Sequence, residues 1–486
     1  MLKIFNSLGH KAEEFKSIKP GYVSMYVCGP TVYSYLHVGN FRGPVFFNFV
    51  RNWLEHLGYK VEYALNFTDI DDRIINRAQT ENVHFKEISE RYITEYKKDF
   101  ANIGLKPHDH NPKVTDFVPE IIEMIETLIK NDKAYQAGGD VNFSIKNFSA
   151  YGQLSGRKPD DMLHGVRIEV DEKKQNPLDF ALWKKAKTGE DLKGSVWKSP
   201  WGEGRPGWHI ECSAMVKSIY GDQIDIHGGG LDLVFPHHEN EIAQSEGCTG
   251  KHYVNHWMHV NMLNFSGNKM SKSLGNVVNM RDFLGKYHSE IYKWMILSVH
   301  YRSLAEFSDA AIDLAVSGLA RVYSAMALAT SLVQTESVKD DKYEKHLESE
   351  WTKIENFIND DFGTPGALGV IFDAVRQFNS QHRRGQKSSP QVSGKAQQFL
   401  IFVKKLGNFL SLFQEEPQSF LNSLDNNLLE KMNIKREDVD ALVNERLKVR
   451  AEKNFAKSDE LRAELTKKNI QVSDMADGTC FWEVVK

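Results

Sequence analysis

One stretch near the N-terminus constrains the fold more than any other part of the chain. Tyr22–Val27 is an apolar run that ends at Cys28–Pro30, and His37–Asn40, which reads His-Val-Gly-Asn, follows a few residues later. A buried strand stopped by Gly-Pro and followed by a helix start is typical of the first unit of a doubly wound α/β domain. The N-terminus of such a helix offers unpaired N–H groups to a phosphate. The stretch therefore predicts a parallel sheet with an anion site at its carboxyl edge.

The following residues continue this pattern. Apolar residues at helical spacing predict a helix over Arg42–Gly58, Lys60–Phe67 predicts a second strand, and Asn76–Gly104 is predicted to be helical. Thr68–Asp72 comes directly after the second strand, at the edge where open α/β sheets bind ligands. Its acidic residues either cap the next helix or contact a substrate, and the residues alone leave both interpretations open.

Length and composition exclude several classes of protein. The chain has 486 residues, enough for about three domains. A formal net charge of −4 excludes a globally basic nucleic-acid binder, although not a local basic patch. Four cysteines in so long a chain do not make a disulfide framework, so we expect a reducing, cytoplasmic location. No apolar run approaches the roughly 20 residues of a membrane helix, and the first residues lack the apolar core of a signal peptide, so we expect no membrane partner.

The sequence changes character twice more. From Lys106 to about Pro206, short strands, Gly-rich turns and a charged stretch at Val170–Lys174 predict an insertion between two halves of the sheet. Beyond Tyr301, apolar stripes predict a helical bundle. Its predicted helices are Leu304–Leu332, Tyr343–Asn359, Leu368–Asn379 and Gln397–Phe413, with a basic loop at His382–Lys395. From about Leu429, the pattern indicates a small unit with a long helix at Arg436–Lys468 and two short strands.

A candidate metal site lies in Asp225–Glu246. His237 and Glu241 are four residues apart on a helix predicted to start at Pro236, so they share a face, whereas His238 is expected to point elsewhere. Cys28 and Cys212 lie near turns at the same predicted sheet edge. Two thiols, an imidazole and a carboxylate suit zinc. Because the segments are far apart in sequence, a chance occurrence of these residues stays open at this point.

Lys269–Ser273 reads Lys-Met-Ser-Lys-Ser in a glycine-flanked segment. Lysines on such a loop suit a charge clamp that closes on a triphosphate. With His37–Asn40 upstream, where Asn40 replaces the final His of the HIGH element, the chain resembles class I aminoacyl-tRNA synthetases and, among them, the cysteinyl-tRNA synthetase family. The segments that carry this resemblance are Cys28–Thr31, His37–Asn40, Thr68–Asp72, Pro206–Met215, Ile226–Ser245, Lys269–Asn276, His300–Ser303, Asp360–Leu368 and Arg446–Leu465.

The resemblance implies a role for each matching residue. It implies zinc ligands at Cys28, Cys212, His237 and Glu241. It implies a cysteine pocket lined by Gly29, Thr68 and Trp208, and an adenosine site at Gly230, Asp232 and Trp257. It implies that the catalytic residues facing the ATP phosphates are His37, Asn40, Lys269 and Lys272.

The resemblance also implies the reaction and the architecture. The reaction is ATP-dependent activation of L-cysteine, with Mg²⁺ accompanying ATP and zinc selecting the thiol, followed by transfer to the 3′ end of tRNA(Cys). The fold is α/β, with a Rossmann-like catalytic domain at residues 1–110 and 205–300 and an α+β insertion at 111–204. A DALR-type helical bundle at 301–428 and an anticodon-binding domain at 429–486 follow. A monomer is expected.

The C-terminal region carries a local basic charge. Residues Asn444–Asn469 hold eight Lys or Arg and five Asp or Glu, a net charge of +3. Composition alone favours a solvated, salt-bridged helix face. The resemblance instead makes Arg446, Arg450 and Lys453 phosphate contacts for tRNA, with Phe455 or Trp482 stacked on a base.

Two alternative functions share some of these features. A synthetase-like ligase that joins cysteine to an amino-sugar would keep the metal and ATP elements, yet it would not need the helical and basic C-terminal region. A catalytically inactive tRNA-binding module would keep that region, yet it would not need intact ATP elements. Cysteine-dependent ATP–pyrophosphate exchange separates the inactive module from both ligases.

Overall fold

The structure is a computed structural model that describes residues 1–157, 174–187, 194–265, 268–269, 278–474 and 479–485. Its strands are β1 (Lys3–Asn6), β2 (Lys11–Glu14), β3 (Tyr22–Val27), β4 (Lys60–Leu65), β5 (Ala134–Ala137), β6 (Asp140–Phe143), β7 (Phe180–Lys185), β8 (Gly204–Pro206), β9 (Ile224–Gly230), β10 (Val254–Val260), β11 (Leu263–Phe265), β12 (Asn268–Lys269), β13 (Ala305–Phe307), β14 (Ile470–Asp474) and β15 (Cys480–Val484). Its helices are α1 (Arg42–His56), α2 (Asp72–Glu81), α3 (Phe85–Ile103), α4 (Val118–Lys130), α5 (Ile210–Tyr220), α6 (Glu239–Thr249), α7 (Met280–Leu284), α8 (Ser289–Leu297), α9 (Asp309–Leu332), α10 (Asp341–Asn359), α11 (Thr364–Gln381), α12 (Pro390–Leu410), α13 (Pro417–Lys431), α14 (Arg436–Ala451) and α15 (Phe455–Lys467).

The central sheet has the strand order β10–β9–β3–β4, and all its pairs are parallel. Met25 of β3 lies opposite Tyr63 of β4 on one side and Ile226 of β9 on the other. The chain therefore moves outward in opposite directions from the β3–β9 boundary, and such a switch point opens a crevice at the carboxyl ends of the strands. The predicted parallel α/β sheet is confirmed.

The helical run predicted over Asn76–Gly104 is interrupted in the structure. Helix α2 ends at Asn82, which has a left-handed backbone with φ of +52°, and α3 starts at a new cap. The His84 side chain accepts a hydrogen bond from the Lys86 amide, and the Glu87 side chain accepts one from the His84 amide. This local capping ends one helix and starts the next although the apolar spacing continues.

The insertion packs an antiparallel sheet, in the order β5–β6–β7–β8, beside α4. Its side chains Val141, Phe143 and Trp183 are buried in the main core, and α4 packs on the catalytic-domain helices α5 and α6, so the insertion is not tethered loosely. Val170–Lys173, part of the charged stretch noted in the sequence, lies outside the described residues.

The helical region beyond Tyr301 differs from the predicted one in two places. Helix α12 begins at Pro390, inside the predicted basic loop, because Ser389 caps it through the Val392 amide. Helix α13, which the apolar stripes did not single out, crosses the expected domain boundary at 428/429. Its Leu424 packs in the main core and its Leu429 in a separate small core.

Helix α9 is, among the described residues, the one long and apolar enough to span a membrane by length and composition. It is a core helix of the bundle, because 61% of its most apolar window is buried against the rest of the chain. The sequence analysis predicted a bundle helix over Leu304–Leu332 but did not identify it as an apolar run of membrane-spanning length.

The C-terminal unit consists of α14, α15 and the β14–β15 hairpin around its own small core. The single long helix predicted over Arg436–Lys468 is two helices. Lys453 has a left-handed backbone with φ of +62°, and the Asn454 side chain accepts a hydrogen bond from the Lys457 amide to cap α15.

Candidate active site and metal centre

Four side chains from separate segments meet at the carboxyl edge of the central sheet. Cys28 follows β3, Cys212 lies in α5, and His237 and Glu241 lie on either side of the start of α6. The two sulfur atoms are 3.6 Å apart, and Glu241 Oε1 lies 3.5 Å from the Cys28 sulfur and 3.1 Å from His237 Nε2. One donor atom from each residue lies within 4.8 Å of all the others. The structure therefore brings the four predicted ligands together.

The cluster is strongly polarised. A hydrogen bond from Cys28 lowers the pKa of the Cys212 thiol to about 6, whereas burial raises the pKa of Cys28 well above its usual value. Burial alone would raise the pKa of Glu241, but the neighbouring His227 and His237 hold it well below its usual range. A thiolate and a carboxylate therefore share one dry site, which suits a divalent cation.

His237 is oriented from both sides. Its Nδ1 lies 3.1 Å from His209 Nδ1, and the Trp208 ring stacks on it with centroids 4.5 Å apart. Burial lowers the pKa of His209 well below its usual value, so a neutral His209 can accept the Nδ1–H of His237 and leave Nε2 facing Glu241. Burial also opposes a charge on His237, but Cys212 and Glu241 raise its pKa to about 10, so a proton there can take the place of a cation.

The expectation that His238 points away from the cluster is wrong. Its Nε2 lies 3.3 Å from the Cys28 sulfur. Val234–His238 is a wide turn in which Phe235 is extended, with φ of −140°, and the regular helix starts only at Glu239. Ideal helical spacing counted from Pro236 therefore gives the wrong direction for this side chain.

A second donor set consequently overlaps the first among the described residues. It consists of Cys28, His227, His238 and Glu241. His227 Nε2 lies 2.9 Å from Glu241 Oε2, and His238 Nδ1 lies 2.7 Å from His259 Nε2. These imidazoles already have buried partners, whereas the first set contains both thiols and is the more anionic. The first set is therefore the better cation site.

Sequence reasoning missed this layer of buried histidines. His227, His238 and His259 are each less than 4% exposed, and His209 supports His237 from the side. The strand patterns give no clear signal for His227 or His259, because β9 also contains Asp225 and β10 also contains Asn255 and His256. Gly229 beside them is required, since a Cβ there would lie 2.8 Å from the His238 ring.

A cleft of about 310 Å³ adjoins the cluster at the switch point. Its lining includes the predicted residues Gly29, His37, Asn40, Gly230 and Asp232. The Asn40 side chain accepts a hydrogen bond from the His37 amide at 3.0 Å, which fixes the turn that starts α1. The HIGH-like residues and the two adenosine candidates therefore share one cavity wall.

Trp257 does not share that wall. It is fully buried and stacks on His227 with ring centroids 4.5 Å apart. The expectation that it faces the adenosine is not met in this structure, because the strand alternation of β10 turns its ring into the histidine layer.

The predicted cysteine-pocket residues surround the metal cluster. The Gly29 amide donates to Asn66 Oδ1 at 2.8 Å, and a Cβ at Gly29 would lie 1.7 Å from the Asn66 carbonyl oxygen, so no other residue fits. Thr68 is buried and donates to Glu211 Oε2 at 3.0 Å. Trp208 keeps 38% of its surface exposed over His237. Trp208 is therefore a partly exposed ring that covers His237 from one side.

The Lys-Met-Ser-Lys-Ser segment is described only in part. Lys269 pairs through β12 with Asn264 of β11, and its side chain is not described. Lys272 lies outside the described residues. Their assignment to the ATP phosphates stays a prediction.

The predicted tRNA contacts separate into two kinds. Arg446 is 1% exposed and makes a bidentate ion pair with Asp474 at 2.7 and 3.0 Å, so the expectation that it binds a phosphate is wrong. Val439, Val443 and Arg446 share one face of α14, and this face packs into the small core. Arg450 is half-exposed beside Asp474, and Lys453 is exposed.

The aromatic residues of this unit also differ from each other. Phe455 is 58% exposed at the start of α15. Trp482 is partly buried, donates its indole N–H to Asp440 at 2.8 Å and is covered by Arg436. Phe455 is therefore the ring that is available for stacking.

Comparison with known proteins gives the family. Residues 14–317 match the model of the class I (C) tRNA synthetase catalytic domain, and residues 353–414 match the DALR domain. The chain is 61% identical over 487 residues to the cysteine–tRNA ligase of Bdellovibrio bacteriovorus, covering all of both chains. It is 43% identical to that of Geotalea daltonii over 99% of each chain.

Solved structures show the same fold. Mycobacterium tuberculosis methionyl-tRNA synthetase in complex with methionyl-adenylate superposes with a TM-score of 0.60 at 13% identity, covering 83% of this chain and 93% of that one. Agrobacterium radiobacter LeuRS in a ternary complex superposes with a TM-score of 0.56 at 10% identity, covering 84% of this chain and 86% of that one. The sheet edge, its thiol-bearing cluster and these full-length similarities agree, and the chain belongs to the cysteine–tRNA ligase family of class I tRNA synthetases.

Proposed function

We propose that this chain joins L-cysteine to tRNA(Cys) in two steps. The cysteine carboxylate attacks the α-phosphorus of ATP, which forms cysteinyl-adenylate and releases pyrophosphate. The 3′-terminal adenosine of tRNA then attacks the acyl carbon, and AMP leaves. The hydroxyl group that attacks first is the 2′-hydroxyl. The observation that carries the proposal is the convergence of Cys28, Cys212, His237 and Glu241 beside the nucleotide cleft.

The donor cluster fits zinc. Zinc–sulfur bonds of about 2.3 Å in a tetrahedron place two sulfurs about 3.8 Å apart. The Cys28 and Cys212 sulfurs are 3.6 Å apart. Zinc bound there would supply a soft Lewis acid, and the Glu241 carboxylate, its weakest ligand, would give way to a substrate thiolate. Such a metal prefers a thiolate to the neutral hydroxyl of serine.

Selection of the thiol by zinc would explain how the enzyme distinguishes cysteine from serine. Serine is nearly isosteric with cysteine, and a pocket that only packs against the side chain discriminates by about 10²-fold. Gly29, Thr68 and Trp208 shape the space beside the cluster but offer no group that distinguishes sulfur from oxygen by softness. Discrimination therefore belongs to the metal centre, with the lining residues orienting the substrate's amino and carboxyl groups.

The ATP steps need positioning and charge stabilisation and no side-chain nucleophile. His37 and Asn40 line the cleft at the start of α1. We assign these two residues to the ATP phosphates, together with Lys269 and Lys272 of the Lys-Met-Ser-Lys-Ser segment. Gly230 and Asp232 are assigned to the adenosine. Mg²⁺ accompanies ATP without an all-protein cage.

The tRNA contacts belong to the exposed face of the C-terminal unit. Arg450, Lys453 and Phe455 lie at or near the junction of α14 and α15, where two cations and an aromatic ring suit an unpaired RNA segment. The division into catalytic parts at 1–110 and 205–300, an insertion, a bundle and an anticodon-binding unit is part of this proposal. So are a monomeric state and a cytoplasmic location.

The direct test is ATP–pyrophosphate exchange without tRNA, followed by charging of tRNA(Cys). We expect exchange to depend on cysteine and to be unaffected by serine at equal concentration. Exchange that serine supports equally well, or normal exchange without charging of tRNA(Cys), would contradict the proposed reaction.

A further inference from the structure

A second chamber opens beside the nucleotide cleft. Its volume is about 380 Å³, and its walls come from β1 and the turn after it, the described part of the insertion loop up to Arg157, the turn after β9 and Arg302. Asp232 and Asn261 line both the chamber and the cleft. The chamber is therefore continuous with the place where the proposed adenylate forms.

Guanidinium groups lie over aromatic rings in these walls. The Arg302 guanidinium lies 4.2 Å from the centre of the Phe5 ring, and that of Arg157 lies 4.6 Å from the centre of the Phe235 ring. Such pairs present flat, positively charged faces that stack on nucleobases and attract phosphate oxygens. Asp232 is the one acid among the described lining residues, and Asp361 pairs with Arg302 from outside the wall. The stacked guanidinium planes, and not an excess of positive charge, therefore favour a planar ligand with a phosphate beside it.

The walls are held by buried partners. The carboxylate of Glu239, which is fully buried, accepts hydrogen bonds from the amides of Gly152 at 2.9 Å and Ser155 at 2.8 Å, and so fixes the insertion loop on the metal-site helix. Arg302 Nε donates to Asp361 at 2.7 Å. A ligand therefore meets a preformed surface and pays little ordering entropy.

The reaction supplies a reason for a second nucleotide site. Transfer brings the adenylate and the end of the tRNA to the same acyl carbon, and the cleft of about 310 Å³ is assigned to the adenylate in the proposed function. We propose that the chamber binds an unpaired nucleotide of the tRNA 3′ end, with its base on the Arg157–Phe235 pair and its phosphate beside Arg302. The proposal rests on the proposed function and gives the N-terminal hairpin and the insertion loop a part in the transfer step.

The test compares transfer with activation. Arg157→Gln removes the guanidinium plane, Arg157→Lys keeps the charge without the plane, and Arg376→Gln, at an exposed arginine on α11, is the matched control. Single-turnover transfer from preformed cysteinyl-adenylate is measured beside ATP–pyrophosphate exchange without tRNA. We expect the ratio of transfer to exchange to fall about tenfold for Arg157→Gln, to fall nearly as far for Arg157→Lys, and to be unchanged for the control.

A second measurement assigns the effect to the 3′ end. Arg157→Gln should weaken binding of intact tRNA and leave unchanged the binding of tRNA from which the unpaired 3′ end has been removed. Equal weakening of both, or an unchanged transfer-to-exchange ratio, would overturn the proposal. Tight binding of free CMP together with indifference to the 3′ end would assign the chamber to a free mononucleotide and overturn it as well. Absence of cysteine-dependent exchange in the unsubstituted enzyme would instead refute the proposed function.

Discussion

The sheet edge and the C-terminal unit both bury charged side chains, but they balance them differently. At the sheet edge, Glu241 lies beside two thiols, and the anionic donors exceed the fixed cations around them. In the C-terminal unit, Arg446 is matched by the bidentate carboxylate of Asp474. An excess of buried donors calls for an external cation, whereas a matched pair needs none. The difference identifies the sheet edge as a binding site and the Arg446–Asp474 pair as a structural ion pair.

The largest effect is expected when one donor is removed from the metal cluster at the sheet edge. Cys212→Ala should lose the bound metal and lower cysteine-dependent exchange by at least about 10³-fold, because the remaining donors no longer form a tetrahedral set. Metal analysis and exchange assays measure both. Cys248→Ala is the control, since that thiol lies outside both donor sets. A Cys212→Ala enzyme with full metal content and normal exchange would remove the contrast between the two regions.

Breaking the Arg446–Asp474 ion pair should lower the stability of the C-terminal unit. Arg446→Ala removes two charge-assisted hydrogen bonds to the partly buried Asp474, which keeps Arg450 as an ion-pair partner, and should destabilise the C-terminal unit by about 3 kcal/mol. Arg450→Ala, at a half-exposed arginine near the same carboxylate, should cost less than about 1 kcal/mol. Hydrogen exchange of α14 and α15 measures both opening energies. A stable Arg446→Ala variant with weakened tRNA binding would return Arg446 to the phosphate contacts.

The aromatic cover of the metal centre should act on substrate binding. Trp208→Ala removes the ring stacked on His237 and should raise KM for cysteine about tenfold, a cost of roughly 1.4 kcal/mol for an aromatic contact. Metal content should stay normal, and Trp208→Phe should recover most of the loss. A large fall in metal content would mean that Trp208 holds the cluster together and not the substrate.

The pH dependence of the C-terminal unit follows from Asp474. Hydrogen bonds from Arg446 hold the pKa of Asp474 below its usual 3.8 in the folded state. The pair's stabilisation is therefore complete above pH 3.8 and is lost as the pH falls through the lower folded-state pKa. Hydrogen-exchange protection of α15, corrected for intrinsic rates, should drop in that range. The drop should be absent in Asp474→Asn, and an equal drop there would assign the acid sensitivity to another group.

The smallest expected effect concerns an exposed cation. Lys453→Ala should weaken tRNA binding about two- to threefold at low salt and reduce the salt dependence by about 0.7 in the log–log slope, the value for one phosphate contact. Lys353→Ala on α10 is the control. An unchanged salt slope would leave Lys453 outside the tRNA interface.

Several parts of the fold could be predicted from local patterns. Tyr22–Val27 and Lys60–Phe67 are apolar runs of strand length, so the parallel sheet followed from them. Residue type suggested the ligand set but left a chance occurrence open, and the resemblance to a known family then implied the four ligands. The breaks at Asn82 and Lys453 did not, since left-handed backbone at a non-glycine residue leaves no mark in apolar spacing.

The errors at His238, Trp257 and Arg446 all concern the direction of a side chain. Ideal helical spacing gave the wrong direction for His238, and the resemblance assigned Trp257 and Arg446 without giving one. An irregular turn redirects His238, strand alternation buries Trp257, and Arg446 follows Val439 and Val443 on the buried face of α14. The last of these was within reach, because that seven-residue spacing is visible in the sequence.

The most direct test of the central claim is zinc X-ray absorption of the enzyme with and without cysteine. The account predicts two sulfur neighbours at about 2.3 Å in the free enzyme, three when cysteine is added and two when serine is added. A count of two sulfurs that cysteine does not change would contradict selection of the substrate through its thiol.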